Sequence, residues 1–186
     1  MGGAFLKFKM ANFDKNEDLI EYTVNYPKGI QYNVLTDLSS EPVDVTFFKA
    51  HARIDFDTDD ALIESYLKAS RIHLEQWSQL SFGVKTMRLL ALELPKNYKL
   101  LYGKVNTVTT SGYTLFGDVI KEGGTDITIE YTTTGVINDV IKVAICRYAA
   151  GLYINRENVQ DTKYSAQVLQ DEAKQMIRPF ANISLW

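Results

Sequence analysis

Apolar and polar positions change their period three times along this chain. Between Pro42 and Trp77 the apolar residues recur at Leu62, Tyr66, Ala69, His73 and Trp77, with Ile63, Leu67 and Leu74 widening the stripe. Steps of three and four place them on one broad face, which predicts a long amphipathic helix over 59–78. A short helix precedes it, and the Thr46 hydroxyl is placed to accept an unpaired N–H of its first turn. The acidic run DFDTDD then leads into the long helix, with Asp57 or Thr58 as the expected cap. Asp59 and Asp60 fall in its first turn, where the positive end of the helix dipole favours carboxylates. Glu64 with Lys68, and Arg71 with Glu75, stand four apart on the expected outer face.

From 84 to 132 the period shortens to two. The runs VKTMRLLALEL, YKLLYGKVNTVT, YTLFGDVI and DITIEYT are rich in Thr, Val, Tyr and Ile. Pro95-Lys96-Asn97, Ser111-Gly112 and Gly123-Gly124 separate them as turns. About four strands forming a small antiparallel insert are expected, with GDVIKEGGTDITIEY as the clearest hairpin. Residues 1–41 also lack helical period. AFLKFKM and parts of LIEYTVNY and IQYNVLTDL alternate, so this section reads as a strand-like arm. An isolated hairpin is marginal in water, so the arm should pair with the later sheet or with a neighbouring subunit.

Helical period returns at NDVIKVAICRYAAGLYINRENV, predicting a helix over 138–156 capped by Asn138 or Asp139. Val140, Ile141, Ala144, Ile145, Tyr148 and Leu152 form its apolar face. Gly151 costs roughly 1 kcal/mol against alanine inside a helix, so a close-packing reason is expected there. A weaker helix, SAQVLQDEAKQMI, stops at Arg178-Pro179 and leaves the apolar tail FANISLW. The expected fold class is α+β: two long helices plus shorter ones, a small antiparallel β insert, and an N-terminal strand-like arm. The expected organisation is an extension over 1–41, a core over 42–161 with its insert at about 84–132, and a C-terminal helix and tail over 162–186.

Composition narrows the function. The 186 residues carry 20 Lys+Arg against 23 Asp+Glu, a net charge of −3, so no basic excess points to a free-standing DNA-binding module. The lone Cys146 forms no internal disulfide and cannot alone build a Cys-rich zinc site; it reads as a small buried hydrophobe. No run of about 18 apolar residues and no leader pattern is present, so membrane-spanning and secreted readings fall away. His51 and His73 stand 22 positions apart without companions and read as packing. Asp55-x-Asp57-x-Asp59 has the opening of a calcium loop, but Asp60 stands where glycine is needed and Tyr66 where glutamate is needed. It reads instead as a helix start. No nucleotide loop or hydrolase, zincin or redox motif occurs, so no enzyme, metal or cofactor is expected.

The stretch VTFFKAHARIDFDTDDALIESYLKASRIHLEQW resembles the opening of the tailed-phage head–tail connector, or adaptor, family. In that family a short capped helix leads through K-A-H-L-R-I-D and an acidic turn into D-D-A-L-I. Lys49, Ala50, His51, Arg53, Ile54, Asp55, Asp59, Asp60, Ala61, Leu62 and Ile63 match, while Ala52 replaces the usual leucine. The longer family members end a β region with an alternating strand, a glycine turn, and a helix closing on L-Y-x-N-R-E. Here Leu152, Tyr153, Asn155, Arg156 and Glu157 supply that ending, and EAKQMIRPF echoes the family's final segment. The likeness runs from 43 to 186 in order; residues 1–41 depart from the usual start.

The resemblance implies a non-enzymatic structural subunit of the virion neck, assembled in the host cytoplasm. It would form a homo-oligomeric ring, twelve-fold in the virion, below the portal. Such a ring extends the DNA channel without sequence-specific binding and meets stopper or tail proteins. Rings of this kind use a heterologous interface. Its candidate residues are the rim charges Asp59, Asp60, Arg71, Glu75, Arg156 and Glu157, of which Arg156 and Glu157 could equally close their helix internally. Candidate portal-docking residues are Arg178, Pro179, Phe180, Ile183, Leu185 and Trp186, unless the tail instead covers the β insert. Lys96, Lys99, Lys104 and Lys121 are candidate channel-lining lysines. A stopper or tail-completion ring protein of the same neck region is the alternative.

Overall fold

The computed structural model describes residues 23–26, 29–157 and 160–182, with side chains described over 29–156 and 166–182. Its order is β1 (Thr23–Tyr26), β2 (Ile30–Thr36), α1 (Val45–Ala52), α2 (Asp60–Ser78), β3 (Thr86–Leu94), β4 (Tyr98–Lys99), β5 (Val105–Val108), β6 (Leu115–Phe116), β7 (Val119–Ile120), β8 (Gly124–Thr133), α3 (Asp139–Ile154) and α4 (Gln160–Ile177). A 3-10 turn, Asn155–Glu157, follows α3. The expected α+β class holds. AFLKFKM lies outside the described residues.

The helices bury one core and the strands another. Phe48, Ile63, Leu67, Leu74, Ile141, Ile145, Tyr148 and Ile177 belong to the first. The second holds Tyr32, Met87, Leu89, Leu100, Ile120, Ile129 and Tyr131. In α2 the buried face runs through Ile63, Leu67, Ser70, Arg71, Leu74, Glu75 and Ser78. This is a rotation from the expected stripe, for Leu62 is 39% exposed and Ala69 is exposed. Two small serines let neighbours approach, and a charged pair lies where period alone would place an apolar one.

The caps also differ from expectation. Asp44, not Thr46, caps α1, accepting the Phe47 N–H at 2.7 Å. Asp59 stands at the N-cap of α2 but makes no side-chain cap bond, because its carboxylate reaches across to α3. Asn138 caps α3, accepting the Ile141 N–H at 2.9 Å.

Two antiparallel sheets share the strand core. One has the order β1-β2-β3-β8-β5 and the other β4-β7-β6. The arm thus joins the later sheet, with β2 paired to β3 from Ile30 opposite Ala91 to Thr36 opposite Thr86. Six strands, not four, fill the stretch from 84 to 133. The expected hairpin around Gly123-Gly124 is absent. Instead β7 pairs with β4 and β6 in the small sheet, and β8 pairs with β3 and β5 in the large one. The chain crosses between sheets at Gly123, where an added Cβ would stand 2.7 Å from the Leu94 carbonyl and 2.8 Å from the Lys96 nitrogen. The glycine pair marks a tight crossing rather than a two-strand turn.

Gly151 has the packing role expected of it. A Cβ there would meet the Ala166 carbonyl at 2.9 Å and Gln170 Cγ at 3.1 Å, so its absence sets how closely α3 and α4 approach.

Candidate functional site

Helices and sheet meet through a cluster of buried charge. Arg71 is fully buried on α2 and uses its whole guanidinium. Nε and Nη2 donate to Glu41 at 2.7 and 2.9 Å, and Nη1 and Nη2 donate to Asp37 at 3.1 and 2.8 Å. Nη1 also donates to Glu75 Oε2 at 2.8 Å. These five bonds match the five N–H groups an arginine carries. Lys85, just before β3, reaches Glu75 at 2.6 Å and Asp37 at 3.0 Å. Glu75 Oε1 accepts the Phe82 N–H at 2.7 Å. Burial alone would raise the Asp37 carboxyl; Arg71 and Lys85 override it and hold the group well below the usual carboxylate range. Burial likewise opposes the Arg71 charge, and the surrounding carboxylates more than restore it.

This places two expected rim charges indoors. Arg71 and Glu75 are not on an exposed edge of the subunit, because Asp37, Glu41 and Lys85 enclose and neutralise them. Asp37, Glu41 and Lys85 carry no joint signal in the sequence, since the first two lie in the loop between β2 and α1 and the third in the loop before β3. The one local trace is Lys85, a cation directly before a strand. A cavity of about 20 Å³ beside Glu75 and Lys85 has room for a single water.

The other end of α2 carries a second cluster. Asp59 Oδ2 accepts the Tyr153 hydroxyl at 2.5 Å and Arg156 Nη1 at 2.7 Å. The Arg156 guanidinium lies 4.4 Å from the centre of the Tyr153 ring. The Tyr153 hydroxyl and Arg156 together hold the Asp59 carboxyl below its ordinary range. Lys49 of α1 pairs with both Asp57 and Asp60. The acidic turn and the L-Y-x-N-R-E ending, far apart in sequence, therefore form one clasp. Asp59, Asp60 and Arg156 share this end of the bundle and are all engaged within the subunit. Glu157 lies in the turn beside them, and its side chain is outside the described residues.

The surface around that clasp is apolar and acidic. Phe47, Phe56, Leu62 and Ile154 are 44%, 44%, 39% and 41% exposed. Asp55, Asp57, Asp59, Asp60 and Glu64 gather there against Lys49, Arg53 and Arg156. The small sheet presents the opposite character. Lys99 stands opposite Val119, and Val119 opposite Phe116, so the three side chains share its outer face. Phe116 is 73% exposed, and Lys121 Nζ lies 5.5 Å from its ring centre. The neighbouring acids turn onto backbone instead: Asp118 accepts the Val105 N–H and Glu122 the Thr114 N–H. Lys96 and Lys104 are exposed on the same body.

Of the tail residues, Arg178, Pro179 and Phe180 are exposed, and the Asn182 N–H donates to the Ser78 carbonyl at 2.8 Å. Ile183, Leu185 and Trp186 lie outside the described residues. His73 stacks on Tyr148 with ring centres 4.8 Å apart, and His51 is exposed. An open groove of about 540 Å³ on α3 and α4 holds Arg147 paired with Glu172, beside Val168 and Met176. Among the described residues no group of His, Cys, Asp or Glu is placed to hold a metal ion, and no helix is long and apolar enough to cross a membrane.

Taken together, the four helices and the antiparallel sheets define an α+β fold whose helical bundle is closed at one end by the clasp. No family model matches the chain, and no curated protein matches it. Among solved structures it is similar to a chain of the "Virion of native gene transfer agent (GTA) particle", with a TM-score of 0.55 and 19% identity, over 77% of this chain and 94% of that one. It is also similar to a chain of the "Neck of empty GTA particle computed with C6 symmetry", with a TM-score of 0.50 and 19% identity, over 63% of this chain and 82% of that one. At such identity the likeness is one of fold.

Proposed function

We propose that this chain is a non-catalytic structural subunit of the neck of a tailed-phage-like particle. More finely, it is a head–tail connector that forms a ring below the portal, extends the DNA channel and links capsid to tail. The observation that carries this reading is the fold likeness over 94% of a chain from the native gene transfer agent virion. The clasp adds support from within the chain, since the two stretches that resemble the adaptor family meet at Asp59. The partners in this reading are further copies of the chain, twelve in the virion, the portal, and stopper or tail proteins. DNA passes through without sequence-specific contacts. The tail from Arg178 onward docks the portal, and Asp59, Asp60, Arg156 and Glu157 lie near a subunit boundary.

A strand core separate from the helical one favours a second reading, a stopper or tail-completion ring protein of the same neck. Mass photometry of the purified chain tests the ring. Twelve copies of the 21.1 kDa chain give a species of about 250 kDa. A chain that stays monomeric up to micromolar concentration, alone and with portal present, overturns the connector reading. Deleting residues 179–186 separates the partners: lost portal co-assembly supports tail docking, and unchanged co-assembly refutes it.

A further inference from the structure

The two patches left exposed at opposite ends of α2 are complementary in charge and alike in carrying aromatic anchors. One is the bundle end, with Phe56, Leu62 and Ile154 beside Asp55 and Glu64. The other is the outer face of the small sheet, with Phe116 flanked by Lys99 and Lys121. We infer that these two surfaces bind each other between neighbouring copies, the bundle end of one subunit receiving the Phe116 face of the next. This rests on the ring reading above and names the contact that builds the ring.

Three observations carry it. Among the described residues, neither patch is closed by its own subunit. The sheet body attaches at the C-terminal half of α2, where the Gln79 carbonyl accepts the Tyr102 N–H and Glu75 binds Lys85. The 19 residues of α2 hold the bundle end about 28 Å away from that junction.

The charges are also free to act between copies. Lys99 and Lys121 take part in no ion pair among the described residues, nor do Asp55 and Glu64. Asp118 and Glu122 accept from backbone N–H groups and form no ion pair with the lysines among the described residues, although Glu122 still feels the charge of Lys121. Opposite fields on two patches steer association and fix its register more than they add affinity, while a buried aromatic anchor supplies most of the binding energy.

Finally, the two patches differ from each other, so the contact is heterologous. Such a contact closes into a ring when its rotation closes, and each added copy leaves one patch of each kind for the next. A duplex passing through the channel would also meet Phe116 and the lysines, but it would leave the acidic apolar end without a partner.

The experiment is mass photometry and sedimentation velocity on the full chain at low and moderate salt. Phe116→Ser, the pair Lys99→Glu with Lys121→Glu, and the pair Asp55→Lys with Glu64→Lys each change exposed side chains, and thermal melting confirms that each variant folds. Each is expected to weaken self-association at least tenfold, with the charge pairs losing more at low salt. Combining both charge reversals in one chain is expected to restore assembly, because the fields are then swapped rather than removed. Rings that form in every variant as in wild type overturn this inference while leaving the ring reading intact. A wild-type chain that forms no oligomer overturns both. Reversals that leave assembly unchanged but abolish retention of a double-stranded DNA probe assign the Phe116 face to nucleic acid and overturn the contact proposed here.

Discussion

Replacing Arg71 with methionine tests whether the buried charge cluster holds the bundle and sheet together. The substitution keeps much of the side-chain volume but removes five hydrogen bonds to Asp37, Glu41 and Glu75. Three carboxylates then share one cation, Lys85, and Glu75 stays almost fully buried. Breaking a buried ion pair from one side costs about 3–5 kcal/mol, because the remaining charge is left uncompensated. That is a large share of the roughly 5–15 kcal/mol that separates folded from unfolded chains. At about 2–4 °C per kcal/mol for a chain of this size, the melting temperature should fall by about 6–20 °C at pH 7.

The pH dependence supplies a sharper check on the same cluster. In wild type the Asp37 carboxyl lies below its unfolded value. Its contribution is therefore present above an unfolded pKa of about 3.9 and is lost as pH falls through the folded value. In the methionine variant the cluster carries excess negative charge, so protonating a carboxylate relieves it. The gap between variant and wild type should narrow from pH 7 to pH 4.5. Differential scanning calorimetry at both pH values measures it. A loss below 2 °C at pH 7, or a gap that does not change with pH, refutes the reasoning.

Three further outcomes follow from packing and burial. Gly151→Ala gains up to roughly 1 kcal/mol of helix propensity, but its Cβ stands 2.9 Å from the Ala166 carbonyl. The strain of overpacking, typically 1–3 kcal/mol, should win, so the urea midpoint falls; a rise would show that α3 and α4 separate freely. Tyr153→Phe removes the hydroxyl donated to Asp59 and should lower the urea midpoint slightly at pH 7, with Arg156→Ala in the same background adding less than it does alone, because both bond one carboxylate oxygen. Burial pushes the Cys146 thiol up to about 12, so iodoacetamide should label it only in denaturant, and fast labelling of the native chain would contradict its placement in the core.

Much of the helical part was legible because a period of 3.6 is strong over 16 to 19 residues. The same period misplaced the buried face of α2. Arg71 and Glu75 look like an ordinary surface pair, since nothing within one helix turn reveals that Asp37 and Glu41 lie 34 and 30 residues upstream to receive the guanidinium. In the β part, alternation located most strands but not their pairing. Gly123-Gly124 between two strand-like runs is a hairpin signal by local rules, and only the closeness of the Leu94 carbonyl turns it into a crossing between sheets.

The motif residues behave differently from the residues that periodicity selects. Lys49, Asp59, Asp60 and Arg156 contribute little apolar area, yet they converge with Tyr153 on one end of the bundle. Ion pairs as exposed as these are worth about 0–1 kcal/mol each, so stability alone is a weak reason for so specific an arrangement. A clasp that fixes the end of α3 against the start of α2 also fixes where Phe56, Leu62 and Ile154 stand relative to the surrounding carboxylates. In a ring built from heterologous contacts, small errors in subunit orientation accumulate around the circle and prevent closure. Loosening the clasp with Tyr153→Phe and Arg156→Ala should therefore broaden the distribution of assembled sizes in mass photometry more than it lowers the melting temperature. A variant that melts earlier but assembles with the wild-type size distribution would show that the clasp serves only the fold of the subunit.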